Sequence, residues 1–85
     1  MPAAVPALSA KDKARLRRYA AALSEVIHER ELKRGSSAFI EDHRIEEGTP
    51  IYEACRAIFA AHLARVKGRS SPVEAEQLTE KVLAA

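Results

Sequence analysis

Residues 49–68, TPIYEACRAIFAAHLARVKG, constrain the fold of this chain more than any other stretch. Thr49 is a good N-cap, Pro50 suits the first helical position, and Gly68 follows the last periodic residue, so the segment reads as one helix. Ile51, Tyr52, Cys55, Ile58, Phe59, Leu63 and Val66 lie on one side of it. Ala54, Ala57, Ala61 and Ala64 lie on the other. A helix that is apolar on two sides is normally buried on two sides. In a chain of 85 residues that makes it the central element and points to a second copy of the protein. The alanine row is the expected partner interface, because small side chains let helix axes approach to about 8 Å. The high helix propensity of alanine would also account for such a row.

The rest of the chain reads as helices around this one. Residues 1–8, with Pro2 and Pro6, are expected to form a flexible arm unless Val5 and Leu8 dock on the core. Ser9 and Asp12 have the spacing of a capping pair. Leu16, Tyr19, Ala20, Leu23, Ile27 and Arg30 follow with helical spacing, and Gly35 is a plausible stop after Lys33 and Arg34. That predicts one helix over about 9–34, some ~37 Å long, which either protrudes or is covered at its end by another subunit. Residues 36–48 are ambiguous. Phe39, Ile40 and His43 share a helical face and Ile45 does not, which favours a short helical turn followed by an ordered loop. Ser71, Pro72 and Glu74 form a capping box that starts a last helix over 71–84, with Ala75, Leu78, Val82 and Ala85 as its apolar stripe. The fold class is therefore all-α: one domain over 9–85 with three main helices, about 9–34, 49–67 and 71–84.

Composition narrows the environment. Such a domain buries roughly 60–65% of its unfolded surface, which leaves a monomer marginal and favours association. A single cysteine excludes an intrachain disulfide. No apolar run approaches the ~18–20 residues of a membrane span. The N-terminal MPAAVPALSA lacks the basic and long apolar regions of a secretory signal. A reducing cytoplasm and no membrane partner are expected.

The residues that could carry chemistry are few. Glu25 and His28 have the Glu-x-x-His spacing of di-iron carboxylate bundles, but they project away from the Leu16/Leu23/Ile27 stripe and no second such pair exists. Residues 28–31, HERE, lack the second histidine of the H-E-x-x-H zinc motif. His62 lies in the apolar face of the central helix. It reads as a partly buried histidine bonded to a carboxylate such as Glu41 or Asp42, or as part of a subunit seam. Cys55 shares its direction but lies about 10.5 Å away along the helix, too far for a catalytic pair or a shared metal. It reads as a small buried hydrophobe. Glu41, Asp42, His43, Glu46 and Glu47 are the nearest approach to a polar site, yet acid–base or metal chemistry there would need a pocket. There is no glycine-rich phosphate loop, no G-x-S-x-G and no Cys-x-x-Cys. Neither a catalytic residue nor a metal or other cofactor is expected.

The net charge of +2 is unevenly spread. Lys11, Lys13, Arg15, Arg17 and Arg18 open the first helix, where cations oppose the helix dipole. Arg65, Lys67 and Arg69 close the central one. These eight are the residues to contact nucleic acid or an acidic partner. The last helix carries Glu74, Glu76 and Glu80, so it would repel phosphates as the recognition helix of a helix-turn-helix. The expected function is a small non-enzymatic interaction or regulatory module, acting through helix surfaces as a homodimer. A DNA-associated regulator and an accessory subunit of a larger enzyme are the alternatives.

Overall fold

The computed structural model describes residues 8–84. It contains four helices: α1 (Ala10–Ser24), α2 (Glu29–Asp42), α3 (Pro50–Val66) and α4 (Pro72–Ala84). The all-α class stands, but the helix count differs. The long helix expected over 9–34 breaks at residues 25–28, and its second half runs on through the segment expected to be a turn or loop. Residues 1–7 of the expected arm, and Ala85, lie outside the described residues. Leu8 packs against the core.

The break is made by a residue far away in sequence. Ser24 Oγ donates to the Ala21 carbonyl at 2.9 Å. The Arg65 guanidinium reaches across from α3 and donates through Nη2 to the carbonyls of Leu23 at 3.2 Å and Val26 at 2.8 Å. Carbonyls at a helix end have no partner within the helix and need one from outside. With the end satisfied, the chain turns and α2 folds back on α1 and α3. An unbroken helix of ~37 Å would have exceeded the 35 Å long axis of the molecule. Ile27, predicted to continue the stripe, is 69% exposed in the turn, and Gly35 sits inside α2 instead of ending a helix.

The end of α2 explains Ile45. Arg44 adopts φ 52°, the left-handed position usually filled by glycine. The Ile45 amide then donates to the Ile40 carbonyl at 2.9 Å, and the Ile45 side chain turns into the core, where it is buried. Around α3 the local signals hold. Thr49 Oγ1 accepts from the Tyr52 amide. Gly68, at φ 75°, lets the Arg69 amide reach back to the Ala64 carbonyl at 2.8 Å. Ser71 Oγ accepts from the Glu74 amide to start α4.

The core joins Leu16, Tyr19 and Leu23 of α1, Leu32 of α2, Ile51, Cys55 and Ile58 of α3, and Leu83 of α4. In α4 the buried row is Ala75, Thr79 and Leu83, the i, i+4, i+8 set, and Leu78 is 48% exposed. The expected stripe through Leu78 is therefore turned toward solvent relative to the buried row, which admits Thr79 because its hydroxyl is satisfied by the Ala75 carbonyl at 2.8 Å. Helix α3 contacts each of the other three, α1 does the same, and α2 and α4 do not touch. The two outer helices therefore flank the α1/α3 pair on different sides. Among the described residues, no helix is long and apolar enough to cross a membrane.

Candidate functional site

Two open grooves lie among the described residues. The first lies between α2 and α3 and has a volume of about 450 Å³. Ile40 from α2 and Tyr52, Phe59 and Leu63 from α3 supply its apolar lining, and Lys33 and Arg56 line it with cationic side chains. Tyr19 and Ser36 also line it, joined by a 2.6 Å hydrogen bond between buried hydroxyls. Burial pushes the Tyr19 hydroxyl up to about 12, against the opposing pull of the Ser36 bond, so it stays protonated at any physiological pH. The Phe39 ring meets Tyr19 edge-on at 5.2 Å and stacks on His43 at 3.9 Å. Lys33 pairs with Glu29 at 2.9 Å, and Arg56 with Glu53 at 3.6 Å. The Lys33 bond, aided by Lys67, holds the Glu29 carboxyl below its usual range. Exposed pairs of this kind are weak, and both cations can turn to another anion.

The second groove, about 420 Å³, runs between α1 and α4. Arg17, Ala20, Ala21 and Ser24 line it from α1, Glu76, Thr79, Glu80 and Leu83 from α4, and His62 from α3. His62 is 2% exposed. Its Nδ1 accepts from Arg65 Nε–H at 3.2 Å, which fixes the neutral tautomer with the proton on Nε2. Burial, together with the neighbouring Arg65 charge, holds its pKa below 6.5; Glu76 pulls weakly the other way. His62 therefore takes its hydrogen bond from an arginine of its own helix, with Glu76 as its acidic neighbour. Glu41 and Asp42, proposed from the sequence, are exposed and are not among the charges acting on it.

The eight cations separate into different roles. Arg15 donates to Asp12 at 3.0 Å and to the His43 carbonyl, tying α1 to the end of α2. Arg65 is the α1 cap. Lys67 lies 3.6 Å from Glu29. Lys11, Lys13, Arg17 and Arg18 make no ion pair among the described residues; all are exposed except the half-buried Lys13. Arg69 is exposed beyond α3. The alanine row is similarly divided. Ala61 is buried by the chain itself, Ala54 and Ala64 are half-buried, and Ala57 is exposed. What the row offers a partner is Ala57 with the edges of Ala54 and Ala64.

The remaining candidates stay apart. Cys55 is fully enclosed, and burial raises its thiol to about 11, which leaves it protonated and unreactive. Glu25 and His28 are exposed on either side of the helix break. His43 Nδ1 bonds the Phe39 carbonyl at 3.1 Å, while Glu41, Asp42, Glu46 and Glu47 are exposed around it. Among the described residues no three His, Cys, Asp or Glu side chains converge on a metal position. Sequence reasoning missed both grooves. Their lining residues were visible as stripe members, but a groove depends on which helices fail to meet. The chain matches no protein-family model, and neither curated proteins nor solved structures show a match to it.

Proposed function

We propose that the protein is a small non-enzymatic interaction module that docks a helical segment of a partner protein in the α2/α3 groove. The carrying observation is that groove itself: Ile40, Tyr52, Phe59 and Leu63 beside Lys33 and Arg56. Grooves of this kind take the apolar face of an amphipathic helix. The two cations select a segment with Asp or Glu flanking its apolar residues, because opposite charges on the rim steer approach and reject basic competitors. Buried aromatic contacts supply most of the affinity at such surfaces.

Peptide display on the immobilised protein tests the reading. Enriched sequences should carry apolar residues at i, i+3 or i+4, and i+7, with acidic neighbours. Their binding should fall at least tenfold with Phe59→Asp and with Arg56→Glu. Failure to enrich any such sequence, or indifference to both substitutions, overturns the proposal.

A second reading, contact with nucleic acid, draws on one observation: Lys11, Lys13, Arg17 and Arg18 on α1 form no ion pair among the described residues. A phosphate-driven contact strengthens as salt is lowered. Binding of random duplex DNA at 50 but not 200 mM salt, lost on replacing these four residues by glutamine, would favour it. No binding at 50 mM salt removes it.

A further inference from the structure

The α1/α4 groove carries a cation on one wall and two anions on the other, all unpaired among the described residues. Arg17 stands on α1, and Glu76 and Glu80 stand on α4. None of the three forms an ion pair within the chain among the described residues. A surface that holds a cation on one wall and anions on the other is complementary to a copy of itself rotated by a two-fold axis. In such an isologous contact residue i meets residue j, and j meets i, so each pair forms twice.

We infer that this groove is the contact surface of a homodimer, in which Arg17 of each copy meets the Glu76/Glu80 wall of the other. The surface suits close approach. Its α1 wall is built from Ala20, Ala21 and Ser24, side chains small enough for a second helix to come near. Ala20, Leu83 and the Thr79 hydroxyl, which already donates to the Ala75 carbonyl, share this lining, so association covers these three without leaving that hydroxyl unsatisfied. The inference is independent of partner docking in the α2/α3 groove, which involves none of these residues.

Charge exchange tests it. Arg17 and Glu80 are exposed, so Arg17→Glu and Glu80→Arg should leave helicity by circular dichroism unchanged. Sedimentation equilibrium at about 100 µM protein and low salt should show a dimer for the wild type and monomers for each variant. In an R17E homodimer the introduced carboxylate would face Glu80, and in an E80R homodimer the introduced guanidinium would face Arg17. An equimolar mixture of the two variants brings opposite charges together again and should sediment as a heterodimer, weakened by 0.5 M salt. A wild-type monomer under these conditions overturns the inference. So does a dimer that survives in either variant, or a mixture that remains monomeric.

Discussion

The groove between α2 and α3 is lined by Ile40, Tyr52, Phe59 and Leu63 with cations beside them, whereas the groove between α1 and α4 sets Arg17 against Glu76 and Glu80. Their volumes are alike, about 450 and 420 Å³. Their chemistry implies different occupants. In the apolar groove Lys33 and Arg56 hold only exposed pairs with Glu29 and Glu53, weak enough to be exchanged for the acidic residues of another molecule. The charged groove contains its own complement and needs only a second copy. Different internal anchors also lie behind them: the buried Tyr19–Ser36 bond behind the first, and the Arg65–His62 contact with the α1 cap behind the second.

Perturbing those anchors separates the two regions. The largest effect is expected from Arg65→Met, which removes the bonds to His62, Leu23 and Val26 together. A charge-assisted bond contributes about 1.5–3 kcal/mol; the Val26 carbonyl loses its partner while the Leu23 carbonyl keeps the Val26 amide, and because Arg65 is only half-buried, a destabilisation of about 2–3 kcal/mol in urea melts is expected. Amide exchange should quicken first at residues 23–28, with the Tyr19–Phe39 region still protected. Uniform acceleration across both regions would show that the grooves are not separately anchored.

Tyr19→Phe comes next. It leaves the buried Ser36 hydroxyl without its partner, at a cost of about 1–2 kcal/mol. The double variant Tyr19→Phe with Ser36→Ala should recover most of that loss, since removing both partners strands neither. A double variant as unstable as the sum of the two singles would deny the bond its assigned role.

A smaller effect follows from His62. Its folded pKa lies below 6.5, while the unfolded chain titrates near that value. Between the two, the unfolded state binds more protons, so this contribution to stability is complete above about pH 6.5 and is lost as pH falls toward the folded pKa. Protonation also places an imidazolium against Arg65. The loss should be absent from His62→Gln, whose amide oxygen can still accept from Arg65. Wild-type and variant melts with the same slope between pH 7 and 5 would refute the assignment.

The smallest is Gly35→Ala in α2. A methyl group there meets no atom within 4 Å, and alanine favours helix over glycine by up to about 1 kcal/mol. A gain of about 0.5 kcal/mol in the melting analysis is expected, with the apolar groove unchanged. A loss would mean that α2 is more tightly packed at Gly35 than its surroundings indicate.

What could be read from the sequence follows the same division between local and distant causes. The start and end of α3 and the start of α4 depend on residues beside them: Thr49 with Pro50, Gly68, and Ser71 with Glu74. Those were legible. The end of α1 depends on Arg65, some forty positions away, and no residue near Ser24 announces it; the uninterrupted periodicity through Ile27 argues the other way. Arg44 hid the turn after α2, because an arginine in the left-handed region carries no glycine-like signal. For the candidate site, the side chains were legible as members of apolar or charged faces. Which faces stay open was not, since that is set by α2 and α4 lying on different sides of α1 and α3. Arg65 and Arg15 show the same limit: read as surface cations, they serve as internal ties.

The central claim is that partner binding belongs to the apolar groove and self-association to the charged one. Titrating isotope-labelled protein with a ~16-residue helical peptide bearing leucines at i, i+3, i+4 and i+7 with flanking glutamates tests it most directly, by nuclear magnetic resonance. The account predicts saturable shifts at Ile40, Tyr52, Phe59 and Leu63, with Arg17, Ser24, Glu76 and Glu80 unmoved. Shifts confined to the α1/α4 residues, or none at millimolar peptide, would contradict it.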